Sequence, residues 1–183
     1  MSRSPFALCA ALLLCAVAVR ADAPSAYVGQ QSREIKALSA QQIADYLAGN
    51  GMGLAKAAEL NGYPGPAHVL ELAAALELSA QQRASTEALF AAMQSRAIAL
   101  GKELIEAERA LDRHFAARTI DAQILAQAVA GIAGVQAQLR QVHLDAHLAQ
   151  VQVLTAPQVA KYAQLRGHAG SGGHGAGHGR RHH

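Results

Sequence analysis

The feature that most constrains the fold is a heptad pattern of apolar residues in the second half of the chain. Between positions 132 and 153 the apolar residues recur at alternating steps of three and four, the spacing of a helix that packs along a partner helix. The members of this seam are Ile132, Val135, Leu139, Val142, Ala146, Ala149 and Val153. A second stripe comprises Leu89, Met93, Ala97, Leu100, Leu104, Ala107, Leu111 and Phe115.

These stripes predict two long helices, at about 79–117 and 121–153. Only about three residues connect them, so we expect an antiparallel hairpin, with Asp121 as the N-cap of the return helix. Each helix would be up to roughly 60 Å long. Two such rods cannot enclose a deep core, which implies no deep catalytic cavity and favours a homodimer that buries more apolar surface.

The rest of the chain is also predicted to be helical, because it is rich in Ala, Leu and Gln and has no Trp. Helix breakers cluster at residues 49–53, at 62–66 and from 167 onward. Short helices are therefore expected at about 39–48, 53–61, 67–76 and 155–166. The predicted fold class is all-α: a long hairpin with short flanking helices and a disordered C-terminal tail.

The N-terminus has the pattern of a secretory signal peptide. Arg3 precedes an apolar run of 14 residues from Phe6 to Val19, too short to span a bilayer comfortably. Cleavage is expected after Ala21, or alternatively after Ala23, and the rival interpretation is an uncleaved inner-membrane anchor. The predicted segments are thus a leader at 1–21, a flexible stretch at 22–37, a helical domain at 38–166 and a tail at 167–183.

Removing this leader changes both the cysteine content and the charge. Cys9 and Cys15 both lie within it, so the mature chain would have no disulfide, thiol nucleophile or cysteine metal ligand. Its 14 basic and 13 acidic residues would nearly balance, and no basic face stands out, so nucleic acid is not expected as a partner.

One pentapeptide occurs twice and has a close variant. LSAQQ stands at 38–42 and at 78–82, and LTAPQ stands at 154–158. Ser or Thr followed three residues later by Gln is a capping box, in which each residue satisfies a free backbone N–H of the other. The residues around the copies do not match one another, so the pentapeptide predicts helix starts rather than a duplicated structural unit.

The placement of two copies around the hairpin resembles the LTxxQ family of periplasmic proteins. The matching residues are Leu78, Ser79, Gln82, Leu154, Thr155 and Gln158, and the segment GMGLAKAAELNGYPGPAHVLELA (51–73) is similar to the metal-sensor and refolding-chaperone branch. This family includes Spy- and CpxP-like chaperones, the zinc-resistance-associated protein and heavy-metal sensors. The resemblance implies a curved helical dimer that works in the periplasm without ATP or covalent catalysis.

Histidines are the candidate metal ligands. His143 and His147 are four residues apart, so they share one helix face and can approach one ion; alternatively, both are solvated residues beside the seam. The Gly-rich tail adds His168, His174, His178, His182 and His183, which predict weak binding of Zn, Ni, Co or Cu, or else only a solubilising tail. His68 and Glu71 form a weaker candidate pair, whereas Met52 and Met93 are expected in the core rather than as ligands.

The sequence offers no constellation typical of an enzyme, and we expect neither catalysis nor a required cofactor. The predicted function is an envelope- or metal-stress protein of the Spy/CpxP type, which binds unfolded periplasmic clients and divalent metal. The alternatives are a heavy-metal sensor acting on an envelope-stress regulator, and a helical interaction protein without chaperone activity.

Overall fold

The structure, a computed structural model, describes residues 25–167. Residues 25–31 belong to a separate small unit and form consecutive turns, with hydrogen bonds from Val28 N to Ser25 O and from Gln30 N to Tyr27 O. The larger unit begins at Ser32. Within the described residues it contains six α-helices and no strand, which confirms the all-α prediction. None of these helices is both long and apolar enough to cross a membrane.

The two longest helices pack together as predicted. Helix α4 spans Ala80–Ala116 and α5 spans Ala122–Val153, and Asp121 Oδ1 caps α5 by accepting a hydrogen bond of 2.7 Å from Ile124 N. The core between them comprises Ala97, Leu100, Leu104, Ile132, Leu139 and Val142. Phe115 was expected on this stripe, but it is 55% exposed, because it lies in the last turn of α4, next to the residues 117–121 that connect to α5.

The first helix, α1 (Ala40–Ala48), lies against the middle of α4 at very short range. At the crossing, a Cβ on Gly101 would lie 2.9 Å from the carbonyl carbon of Tyr46 and closer still to its oxygen. Beside it, Leu38 and Ile105 form a small core with Ile35, which is fully buried although it precedes the predicted start of the domain at residue 38. The absence of a side chain at Gly101 is what allows this close approach.

Three short helices complete the unit. Helices α2 (Lys56–Glu59) and α3 (Pro66–Glu71) are shorter than predicted, because Gly62 at φ +83° ends one segment and turns follow α3 up to Glu77 at φ +54°. Helix α6 (Ala156–Leu165) closes the described chain. A second core joins these elements through Val69, Leu76, Leu154 and Tyr162.

All three pentapeptides form the predicted capping boxes, but two of them also meet in space. Gln82 Nε2 donates to Gln158 Oε1 at 2.7 Å, and Gln158 Nε2 donates back to Gln82 Oε1 at 3.1 Å. The same two amides also donate to the backbone oxygens of Val153 and Leu76. The copies that start α4 and α6 therefore form one polar junction, whereas the copy at Ser39 and Gln42 only caps α1.

Candidate functional site: a cavity beneath the loop at residues 49–53

A half-open cavity of about 560 Å³ lies between this loop, α2, α3 and the long hairpin. Its volume is in the range of small-ligand sites, although the sequence implied no deep cavity. The chemically informative residues around it are His68, His143, His147, Met52, Met93 and Phe90. The cavity therefore brings together three predicted metal-ligand candidates and both methionines that were expected in the core.

Unusual backbone conformations fix the loop that covers the cavity. Gly49 ends α1 in the left-handed region at φ +69°, and a Cβ there would lie 3.0 Å from the backbone oxygen of Gln94. Met52 and Gly53 also have positive φ values, of 45° and 82°. A non-glycine residue rarely adopts this conformation, so the loop is held in place by its packing on α4. Met52 is 39% exposed at the cavity, so its prediction as a core residue is wrong.

His143 lies in the wall of the cavity and is only 3% exposed, which excludes the alternative that it is a solvated residue. Its Nδ1 faces the loop, where a Cβ on Gly51 would lie 3.8 Å away. Its Nε2 is buried and has no hydrogen-bond partner among the residues that the structure describes. Burial, followed by the neighbouring His147, lowers the pKa of His143, which favours the neutral ring with a free lone pair.

His147 lies one helical turn further along α5, and its orientation is fixed. Its Nδ1 donates a hydrogen bond of 2.6 Å to the carbonyl oxygen of Tyr63, and Glu59 Oε2 lies 3.8 Å from the same nitrogen. Because a carbonyl oxygen only accepts, the proton is on Nδ1, and Nε2 carries the lone pair when the ring is neutral. The ring also packs on Gly65, where a Cβ would lie 2.9 Å from Cε1 and Nε2.

Glu59 connects α2 to α5 and α6, and sequence reasoning did not single it out. One carboxylate oxygen accepts hydrogen bonds from Tyr162 Oη at 2.6 Å and from Arg166 Nε at 3.3 Å. Burial, followed by the bond to this carboxylate, raises the pKa of Tyr162 above its ordinary range. Glu59 is the only acidic residue between Asp45 and Glu71, which was the available signal, but its hydrogen-bond partners are about 100 residues away.

The remaining predicted ligands are placed less favourably. His68 Nδ1 lies 3.1 Å from Glu71 Oε2, as their spacing predicted, but only His68 lines the cavity, and Glu71 is exposed. The five tail histidines, from His168 to His183, lie outside the described residues. Within residues 25–167, no three His, Cys, Asp or Glu side chains are grouped so that they could hold one metal ion.

Buried polar contacts continue from the cavity towards the glutamine junction. Gln150 Nε2 donates to Thr86 Oγ1 at 3.1 Å, and Thr86 Oγ1 donates to Gln82 O at 2.8 Å; Thr86 and Gln150 are fully buried. His143, His147 and Gln150 are spaced four and three residues apart, so one face of α5 is polar towards its C-terminal end. This polar face differs from the apolar core in the middle of the hairpin.

No family model, no curated protein and no solved structure matches the chain. The family resemblance therefore stays a prediction from the two pentapeptides and the segment at 51–73.

Proposed function

We propose that the chain is an envelope-stress protein of the LTxxQ type, which holds unfolded clients in the periplasm without ATP and also binds divalent metal. The apolar surface left on the hairpin is the single observation that carries this proposal. Clients would bind to that surface, while His143 and His147 would contribute to the metal site. A homodimer would cover part of the hairpin and leave the remainder for clients.

The client surface is assigned to the tip of the hairpin. Residues 122–138 of α5 contain no charged residue, and Leu125 and Val129 are 39% and 50% exposed. They are one turn apart on the same helix face. Phe115 at the end of α4 is also exposed. Large apolar side chains on an uncharged surface are suited to the apolar segments that an unfolded chain exposes.

Replacing Leu125 and Val129 together by Glu tests the proposal. The full chain is expected to suppress aggregation of a chemically unfolded client at near-stoichiometric ratios. Full burial of each side chain is worth about 1.5–3 kcal/mol, so the double variant should need at least about tenfold more protein for the same suppression. The matched control replaces Gln141 and Gln152 by Glu, which adds the same charge at two exposed polar positions of the same helix outside residues 122–138. Absence of suppression by the unmodified chain would refute the proposal.

The second candidate is a periplasmic metal sensor that acts on an envelope-stress regulator. The observation that favours it is the pair His143 and His147, both with a nitrogen lone pair in one cavity whose loop packs on α4. Calorimetry should then detect stoichiometric Zn or Ni binding that the double change to Gln diminishes. Binding that depends only on the tail histidines would exclude the cavity as the sensor site.

A further inference from the structure

Two methionines that are 41 positions apart in the sequence line the cavity together with His143. The register of the hairpin explains the position of Met93. Thr86 on α4 is hydrogen-bonded to Gln150 on α5, and the helices run in opposite directions. Seven residues make about two helical turns. Met93 is seven residues after Thr86 on α4, and His143 is seven residues before Gln150 on α5, so Met93 lies opposite His143.

Met52 reaches the cavity from the other side. It follows Gly51, which lies against the Nδ1 edge of His143. Its backbone is in the left-handed region at φ +45°, a conformation that costs a non-glycine residue about 1–3 kcal/mol and persists at ligand sites and switch regions. A strained loop that places a partly exposed thioether in the lining of the same cavity as a buried imidazole is not explained by packing of the core.

We infer that the cavity binds a soft monovalent metal ion, Cu(I), through the thioethers of Met52 and Met93 and an imidazole nitrogen of His143. This inference rests on the metal-binding part of the proposed function, but it changes the class of metal from divalent to monovalent. Thioether sulfur is a soft ligand that selects Cu(I), whereas Zn and Ni are better served by imidazole and carboxylate.

The ligand set and the room around it agree with this assignment. Two thioethers and a neutral imidazole carry no charge, which suits a monovalent ion better than a divalent one. The carboxylate of Glu59, which also lines the cavity, already accepts hydrogen bonds from Tyr162 and Arg166. Each methionine has three rotatable bonds, so both sulfurs can close on an ion within the open cavity. No set of three His, Cys, Asp or Glu side chains within residues 25–167 competes for the same ion.

The test uses Ag(I) as a redox-stable probe for Cu(I), with Zn(II) as the comparison ion. The protein is the full chain with its five tail histidines replaced by Asn, titrated by calorimetry in nitrate buffer. Replacing Met52 and Met93 together by Leu, which conserves volume and polarity, should weaken Ag(I) binding at least about tenfold. The same change should leave Zn(II) binding within about twofold. His143→Gln should also weaken Ag(I) binding, whereas the control His114→Gln at the hairpin tip should not.

A second measurement guards against a folding defect in the variants. In the unsubstituted cavity, the ε-methyl NMR signals of Met52 and Met93 should both shift on addition of one equivalent of Ag(I). Unchanged methyl signals, or equal Ag(I) affinity in the double Leu variant, would overturn the inference. Zn(II) binding together with unchanged methyl signals would leave the proposed divalent site standing. Aggregation assays on the double Leu variant show whether client binding is retained. Failure of the Cu(I) inference can therefore be distinguished from failure of the proposed client binding.

Discussion

The close crossing of α1 and α4 predicts that one glycine-to-alanine change will destabilise the protein while a chemically identical change nearby will stabilise it. In both cases the glycine lies inside a long helix, where alanine is favoured by about 1 kcal/mol. Gly131 on α5 has no atom within 4 Å of a Cβ built on it, so Gly131→Ala should stabilise the protein by about 0.5–1 kcal/mol.

At Gly101 the new methyl group would overlap the backbone carbonyl of Tyr46. Backbone cannot rotate away as a side chain can, so α1 has to shift, and overpacking of this kind costs about 1–3 kcal/mol. Because the helix-propensity gain is common to both variants, the difference between their free energies of unfolding measures the cost of overpacking alone. The free energy of unfolding of Gly101→Ala should therefore be about 1–3 kcal/mol below that of Gly131→Ala.

Urea unfolding followed by circular dichroism measures this difference directly. Gly134→Ala, another open position on α5, provides a replicate of the control. Since α1 leads into the loop at residues 49–53, the shift should also disturb the cavity. Equal stability of the Gly101 and Gly131 variants would refute the tight crossing of α1 over α4.

Three further predictions follow from the polar contacts. Gln158→Ala removes the amide pair and the hydrogen bond to the backbone oxygen of Leu76, so it should cost about 1–3 kcal/mol. Gln42→Ala should cost only a cap, about 1 kcal/mol; equal costs in urea unfolding would contradict the junction. Tyr162→Phe should lower the melting temperature, because it removes a hydrogen bond to the Glu59 carboxylate that is worth about 1.5–3 kcal/mol. An unchanged melting temperature would argue against that contact. Burial lowers the pKa of His143 in the folded protein, so as the pH falls this side chain is protonated in the unfolded chain before it is protonated in the folded one. The free energy of unfolding should therefore fall as the pH drops below about 6.5. His143→Gln should reduce the slope of stability against pH between about pH 7 and about pH 5, and an unchanged slope would refute this prediction.

Local signals predicted the helices well. Heptad spacing identified α4 and α5, and Ser, Thr and Asp caps fixed where α1, α4, α5 and α6 begin, because both depend on residues within one or two turns. The short helices α2 and α3 were predicted too long, since left-handed residues such as Gly62 and Glu77 divide that segment into turns.

The site depended on contacts that a local pattern cannot contain. His143 was recognised as a candidate ligand, but its burial follows from the loop at residues 49–53 that packs beside it. Met52 and Met93 were separated by too many residues to suggest one site. The register of the hairpin brings Met93 opposite His143, and the loop at residues 49–53 brings Met52 to the same cavity. Glu59 was missed for the same reason, because its partners lie on α5 and α6.

Site-specific photo-crosslinking tests the proposed client surface most directly. A photo-crosslinking amino acid in place of Val129 is compared with the same amino acid in place of Gln164, an exposed position on α6. We expect adducts with a chemically unfolded client at position 129, far fewer at position 164, and none at either position with the folded client. Equal labelling at the two positions, or no adducts at position 129, would contradict client binding at the tip of the hairpin.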